Sequence, residues 1–206
     1  MRKQLLFIVT LCLLGCSEKK TLQKVSSIEN PNFILIFMDD LGYGDIMPFG
    51  SINYETPHIN KLAQEGMLFT NFYSVQAVCS ASRAALLTGC YSNRIGISGA
   101  LMPYSTVGLH KNEITIAELL KEKGYATAIF GKWHLGFQEK FLPLNHGFDT
   151  FLGLPYSNDM WPVDFDGNQI SDTTNWKKKS YPQLPLIKDF KKIDEIRTLE
   201  DQAKLT

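Results

Sequence analysis

The chain has 206 residues, of which 44% are hydrophobic and 20% are charged, so it can form one medium-sized domain with its own core. Lysine and arginine number 21, as do aspartate and glutamate, which makes the formal net charge zero. This balance excludes a strong overall positive charge, which is typical of nucleic-acid-binding proteins and of proteins held electrostatically on anionic membranes. We therefore predict no nucleic-acid partner.

The N-terminus has the pattern of a secretory signal peptide. Arg2 and Lys3 precede an apolar run over residues 5–14, which is followed by a small residue and Cys16. The end of this run, Leu-Leu-Gly-Cys, resembles a bacterial lipobox, which implies that Cys16 carries lipid after cleavage. Ordinary secretion and an uncleaved anchor are the alternatives.

Three regions are predicted from these patterns. Residues 1–16 are the signal peptide, the polar residues 17–31 are a tether, and residues 32–206 belong to a folded domain. We expect the protein to be exported to the periplasm or cell surface and to meet the membrane only through a lipid on Cys16.

Apolar runs alternate with helical patterns along the domain. Strands are predicted for residues 32–38, 67–75 and 125–130. Helices are predicted for residues 56–66, from residue 80 onwards and for residues 115–124, and residues 187–206 are predicted as a charged, helical tail. The alternation of strand and helix predicts an α/β fold with a parallel-rich central sheet flanked by helices.

An acidic pair, Asp39 and Asp40, directly follows the first predicted strand. Two carboxylates at the end of a buried strand are costly unless they are solvated, paired or bound to a metal ion. Functional sites of open α/β sheets gather at the carboxyl ends of strands, and Gly42 and Gly44 permit the turn that both side chains need to reach one ion. Oxygen ligands suit calcium or magnesium. A solvated acidic pair is the alternative interpretation.

Residues 79–89 combine a nucleophile with an anion-binding arrangement. Cys79 stands at or just before the start of a predicted helix, where free amide groups and the helix dipole favour an anion. Arg83 follows one helical turn later on the same face. By position alone, Cys79 is better explained as a small buried residue, and only the residues around it favour a nucleophile. Cys90 is predicted to be structural, and a disulfide between the two is rejected because the helix holds them apart.

Lys132 and His134 follow the strand predicted for residues 125–130, in the sequence Gly-Lys-Trp-His-Leu-Gly. In an extended segment, side chains two residues apart project to the same side. Both are therefore predicted to face one site.

These motifs together resemble the sulfatase family. Cys-Ser-Ala-Ser-Arg at residues 79–83 is similar to its Cys-x-Pro/Ala-x-Arg signature, and residues 131–136 are similar to its second signature. The resemblance implies an alkaline-phosphatase-like fold and a maturase that converts Cys79 to formylglycine. It also implies catalytic roles for Arg83, Lys132 and His134 and sulfate binding by Lys132 and Ser157. Calcium is expected to be held by Asp39, Asp40 and residue 79.

The resemblance covers residues 32–159, and no later stretch matches the remaining metal and sulfate ligands of the family. We therefore interpret the chain as the N-terminal portion of a sulfatase, with an incomplete sheet. The expected reaction is hydrolysis of a sulfate ester on a small molecule or glycan. A phosphate or phosphonate ester hydrolase of the same superfamily and a truncated, non-catalytic lipoprotein are the alternatives.

Overall fold

The computed structural model of the chain describes residues 30–164, 166–170 and 176–204. The predicted signal peptide, Cys16 and nearly all of the tether lie outside the described residues. The chain divides into two compact units, Met1–Met38 and Asp39–Thr206.

The described part of the first unit, residues 30–38, contains no helix or strand. The strand predicted for residues 32–38 is therefore wrong in this structure, and the side chains of residues 33–38 are 38–88% exposed. An apolar run becomes a strand only where its main chain pairs with a neighbouring strand, and the sequence pattern alone does not supply that pairing.

The second unit contains helices, strands and several 3₁₀ turns. Its helices are α1 (Pro57–Glu65), α2 (Cys79–Thr88), α3 (Ile116–Glu122), α4 (Trp176–Lys179) and α5 (Leu199–Ala203). Its strands are β1 (Ala128–Lys132), β2 (Thr150–Leu154), β3 (Leu184–Lys188) and β4 (Lys191–Ile196). The 3₁₀ turns are Tyr43–Asp45, Met47–Phe49, Ser92–Ile95, Glu139–Phe141 and Pro143–His146. No helix within the described ranges is long and apolar enough to cross a bilayer.

The helix predictions are confirmed because their end signals are local. Helix α2 ends at Gly89, whose left-handed backbone (φ 67°) lets its amide bond to the Ala85 carbonyl. Helix α3 begins with a capping box, in which the Thr115 hydroxyl accepts from the Glu118 amide and the Glu118 carboxylate accepts from the Thr115 amide. Both devices act within a few residues of the chain.

The four strands form one mixed sheet in the order β1-β2-β3-β4. Strands β1 and β2 are parallel, with Lys132 opposite Leu154, whereas the pairs β2–β3 and β3–β4 are antiparallel. The predicted α/β class is thus observed, with one parallel pair among the described strands. The parallel pairing brings the chain after β1 beside the chain after β2.

Three further sequence predictions are wrong. Residues 67–75 form no strand, and Met67, Phe72 and Tyr73 are exposed. The tail predicted as helical begins as the β3–β4 hairpin, because Asp189 adopts a left-handed backbone (φ 57°) that turns the chain, and only α5 is helical. Cys90 is exposed and is not a buried structural residue; both it and Cys79 are free thiols.

The described residues form two hydrophobic cores, and the larger one contains neighbours of the residues predicted to be functional. It contains Ala84 and Leu87 of α2, Ala117 of α3, Trp133 and Leu135 after β1, and Phe151 of β2, together with Ile97, Leu109 and Phe148. Three core residues are sequence neighbours of the site residues: Ala84 follows Arg83, Trp133 lies between Lys132 and His134, and Leu135 follows His134. Packing of this core therefore fixes the backbone from which these three side chains project.

The tight pairing of β1 and β2 makes Gly153→Ala strongly destabilising. A Cβ atom at residue 153 would lie 1.7 Å from the Gly131 carbonyl oxygen, so the strands would have to separate. We expect the free energy of unfolding, measured in urea, to fall by about 3 kcal/mol, the upper end for overpacking. Gly44→Ala is the control, since a Cβ there meets no atom within 4 Å. Equal stabilities of the two variants would contradict this close approach of the two strands.

Candidate active site

Cys79 is the first residue of α2 and is only partly buried. The residue before it, Val78, has an extended backbone and caps the helix without a side-chain hydrogen bond. Ser80 and Ala81 are fully buried beside it, so the start of α2 is held firmly while the Cys79 thiol stays accessible. This is the placement that the sequence predicts for a nucleophile at a helix start.

Arg83 lies one turn further along α2 and reaches the end of β1. Its Nη1 donates to the Lys132 carbonyl oxygen at 2.5 Å, and its Nη2 lies 3.7 Å from Oδ1 of Asp39. Its guanidinium also interacts electrostatically with Cys79, while burial lowers the pKa of Arg83. An arginine keeps its charge under ordinary conditions, so α2 contributes one fixed cation to the site.

Lys132 is the last residue of β1 and contributes the second cation. Its Nζ forms an ion pair with Asp39 and donates to the Ser157 hydroxyl at 3.0 Å. Only 12% of its side chain is exposed. Ser157 follows β2, is itself buried, and reaches Lys132 because β1 and β2 are parallel. Lys132 and Ser157, which are both predicted to bind sulfate, are therefore in direct contact with each other.

Asp39 connects both cations. Burial raises the pKa of its carboxyl group, but the hydrogen bond and charge of Lys132 and the charge of Arg83 outweigh burial, so the net pKa is below the ordinary value. Asp39 is therefore ionised at neutral pH. Asp40, by contrast, is exposed and has a left-handed backbone (φ 54°).

His134 is almost completely buried, with 1% of its surface exposed. Its Nε2 lies 2.7 Å from the Leu101 carbonyl oxygen, and its Nδ1 is buried without a hydrogen-bond partner among the described residues. Burial lowers the pKa of His134 to about 4, assisted by the charges of Lys132 and Arg83. The imidazole is therefore neutral at neutral pH and has one nitrogen available as a base.

The predicted extended geometry from Lys132 to His134 is wrong, because His134 has a left-handed backbone (φ 57°) and the chain turns there. The two side chains nevertheless share one site, since both interact electrostatically with Asp39. Trp133, the residue between them, is buried in the core, and its Nε1 donates to the Phe141 carbonyl at 2.8 Å.

The buried, neutral state of His134 makes folding stability depend on pH. The folded-state pKa of about 4 lies below the ordinary value of 6.5, so the unfolded chain takes up the proton first. This contribution to the free energy of unfolding is fully present above pH 6.5 and is lost as the pH falls toward 4. It amounts to about 3 kcal/mol at most.

We expect His134→Gln to flatten the fall in unfolding free energy between pH 6.5 and 4, measured in urea at several pH values. Part of the slope should remain, because burial also lowers the pKa of His146. The control is His110→Gln, because His110 is exposed and is not part of this site. Identical slopes for the wild type and His134→Gln would contradict the prediction.

Two contributors to the site carry no recognisable signal in the sequence. Leu101 acts through its main-chain carbonyl, which any residue would supply. Ser80 acts through a hydroxyl that accepts from the Leu101 amide at 3.0 Å, at a position that the signature leaves unspecified. These two roles are visible only in the folded structure, where the loop that follows α2 contacts the start of that helix.

Comparison with known proteins decides the family. The sequence model of the sulfatase family matches residues 31–193. The chain belongs to the sulfatase family. It is 50% identical over 135 residues to bovine arylsulfatase A (Bos taurus), an alignment that covers 64% of this chain and 27% of that protein. This chain therefore spans about a quarter to a third of the length of the curated sulfatases it matches.

Solved sulfatase structures confirm the alkaline-phosphatase-like α/β fold. The PsFucS1 sulfatase from Pseudoalteromonas sp. superposes with a TM-score of 0.67 and 34% identity, covering 81% of this chain and 36% of that one. BT4656, solved in complex with its substrate D-glucosamine-2-N,6-O-disulfate, gives a TM-score of 0.59 and 26% identity, covering 82% and 28% respectively.

The described residues do not by themselves fit a calcium ion. Calcium takes about six to eight oxygen ligands, whereas Asp39 is already paired with two cations and Asp40 is exposed. Within the described ranges, no group of three or more His, Cys, Asp or Glu side chains is placed to share an ion. The metal roles of Asp39, Asp40 and Cys79 stay predictions, and no chemical step below depends on a metal.

Proposed function

We propose that this chain forms part of the active site of an enzyme that hydrolyses sulfate esters. The observation that carries the proposal is the convergence of Arg83 and Lys132 on one spot, with Cys79 at the adjoining helix start and the neutral His134 nearby. Two fixed cations bind a sulfate group and offset the charge that develops on its oxygens during transfer.

Residue 79 is proposed to act as formylglycine, made from Cys79 by a maturase; its hydrated form supplies a hydroxyl that displaces the alcohol from sulfur. Arg83 and Lys132 hold the sulfate oxygens, and Ser157 orients Lys132 through their hydrogen bond. His134, which is neutral at pH 7, then accepts the proton of the second hydroxyl of the hydrated residue, so that the bond from its carbon to the sulfate oxygen breaks, sulfate leaves and the aldehyde re-forms. We propose that calcium binds only if further oxygen ligands, which are not among the described residues, complete its coordination.

A sulfated glycan is the proposed substrate class, with a smaller aryl or alkyl sulfate ester as the alternative within the same chemistry. Support comes from BT4656, whose substrate is a sulfated sugar and whose fold this chain shares.

Parallel assays of a sulfate and a phosphate monoester test this function. The protein is purified from its own host, its mass is determined, and turnover of nitrophenyl sulfate and nitrophenyl phosphate is compared. We expect sulfate hydrolysis to dominate. Preferential phosphate hydrolysis would favour a phosphatase, and absence of both turnover and modification at Cys79 would favour a non-catalytic lipoprotein.

Export and lipid attachment through Cys16 are proposed from the sequence alone. Cys16→Ala is expected to move the protein from the detergent phase to the aqueous phase on Triton X-114 partitioning. Cys12→Ala provides the matched control, since Cys12 lies within the apolar run that cleavage before Cys16 would remove. Unchanged partitioning of Cys16→Ala would contradict lipid attachment at this residue.

A further inference from the structure

The main chain of Leu101 connects the nucleophile helix to His134. Its amide nitrogen donates to Oγ of Ser80 at 3.0 Å, and its carbonyl oxygen lies 2.7 Å from Nε2 of His134. Ser80 directly follows Cys79 in α2. All three residues are buried: Ser80 is fully inaccessible, and Leu101 and His134 are 8% and 1% exposed.

The contact with Leu101 fixes the tautomer of His134. A carbonyl oxygen only accepts hydrogen bonds, so Nε2 must carry the proton. Burial keeps the ring neutral by lowering its pKa, which leaves Nδ1 with a free lone pair. Nδ1 is also buried and has no hydrogen-bond partner among the described residues. A buried acceptor without a partner is costly to a folded protein and calls for a functional explanation.

A second hydrogen bond holds the same loop from the segment that precedes α2. Gln76 Oε1 accepts from the Gly99 amide at 3.3 Å, two residues before Leu101. Gln76 is itself fixed, because its Nε2 donates to Asn93 Oδ1 at 2.9 Å and its carbonyl accepts from the Ser82 hydroxyl at 2.5 Å. Ser80 therefore completes a connection between the chain around Cys79 and the residues that hold His134.

We propose that Ser80 is a positioning residue which, through the main chain of Leu101, holds His134 as the Nε2–H tautomer and so makes Nδ1 the atom that accepts the proton in the reaction. The inference rests on the proposed sulfatase function for its chemical role. The tautomer itself rests only on the contacts of Ser80, Leu101 and His134.

Loss of the Ser80 hydroxyl removes the acceptor of a buried amide. The Leu101 amide must then seek another partner, and the carbonyl of the same residue moves with it. His134 is expected to lose its fixed hydrogen bond and to populate both neutral tautomers, only one of which presents Nδ1 as the base. The expected consequence is a lower kcat with little change in KM, because binding by Arg83 and Lys132 is untouched.

The first measurement is the ring ¹⁵N chemical shifts of His134 at neutral pH in the ¹⁵N-labelled full chain. We expect a pyrrole-type shift at Nε2 and a pyridine-type shift at Nδ1 in the wild type. In Ser80→Ala we expect intermediate shifts that report mixed tautomers, and in Ser80→Thr, which keeps the hydroxyl, the wild-type pattern. This readout requires no enzymatic activity, so it stands even if the proposed function fails.

The second measurement is kcat and KM for nitrophenyl sulfate, divided by the formylglycine content at residue 79 from mass spectrometry. Ser80→Ala is expected to lower the normalised kcat about tenfold and to leave KM unchanged within about twofold. Ser80→Thr, which keeps the hydroxyl, is expected to restore most of the normalised kcat. Ser105→Ala is the control, because Ser105 lies in the same loop and its exposed hydroxyl contacts Val107, away from His134.

Three results would overturn the inference. The first is a wild-type spectrum with the proton on Nδ1. The second is a Ser80→Ala variant whose ring shifts and normalised kcat both equal those of the wild type. The third is a Ser80→Ala variant that loses activity only in proportion to its formylglycine content and has unaltered ring shifts. The last result would assign Ser80 to maturation instead. Because the wild-type spectrum alone decides the tautomer, the test does not depend on the stability of Ser80→Ala.

Discussion

Cys79→Ala is expected to reduce kcat for sulfate ester hydrolysis by about 10⁴-fold or more, to the background level. Alanine has neither a thiol for the maturase to convert nor any other nucleophile, and removal of a nucleophile costs a factor of this order or greater in comparable hydrolases. The measurement is turnover of nitrophenyl sulfate by the protein purified from its host, together with the mass of the peptide that contains residue 79.

Cys90→Ala is the matched control for this result. Both cysteines are free thiols and Cys90 lies just beyond the far end of α2, but it is exposed and outside the site. Its variant should keep full activity and unchanged stability. Retained turnover in Cys79→Ala would end the proposed mechanism, whereas loss in both variants would indicate a structural role for the helix ends.

Lys132→Ala is expected to lower kcat/KM by about 10²–10³-fold, the cost of removing one well-placed group that stabilises developing charge. The Nζ group of Lys132 pairs with Asp39 and donates to Ser157, and Arg83 alone would then face the sulfate oxygens. The pKa of Asp39 should also rise, because the hydrogen bond and charge of Lys132 help to lower it.

Lys61→Ala distinguishes this effect from a general loss of charge. Lys61 is 3.8 Å from Glu65 within α1, and both side chains are about two-thirds exposed. Such a surface pair contributes less than about 1 kcal/mol, so kcat/KM should stay at the wild-type value. A Lys132→Ala enzyme with kcat/KM within a few-fold of wild type would refute a direct role of Lys132 in sulfate binding.

Lys132→Arg extends the comparison, because it keeps the charge but changes the shape. Only 12% of the Lys132 side chain is exposed, and a planar guanidinium does not occupy the position of a compact ammonium. We expect partial rescue, with kcat/KM between those of wild type and Lys132→Ala. Full rescue would mean that charge alone matters at this position.

The sequence by itself determined the features that local chemistry specifies. Helix α2 from Cys79, its Gly89 terminus and the capping box of α3 all follow from side chains within a few residues of each helix end. The family membership, confirmed over residues 31–193, followed from the signatures around Cys79 and Lys132.

The tertiary structure decided what depends on contacts between distant segments. Residues 32–38 and 67–75 have the apolar composition of strands, yet neither is a strand in this structure, since strand formation requires pairing with a neighbour. The polar tail from residue 187 pairs instead, because the left-handed backbone of Asp189 turns it back as a hairpin.

The same distinction holds within the site. Sequence motifs named Asp39, Arg83, Lys132, His134 and Ser157, but only the fold shows that Asp39 pairs with both cations and that Ser157 reaches Lys132 across the parallel pair β1–β2. The main chain of Leu101 has no sequence signature at all, because every residue carries the same amide and carbonyl. Its contacts with Ser80 and His134 exist only where packing brings the loop and α2 together.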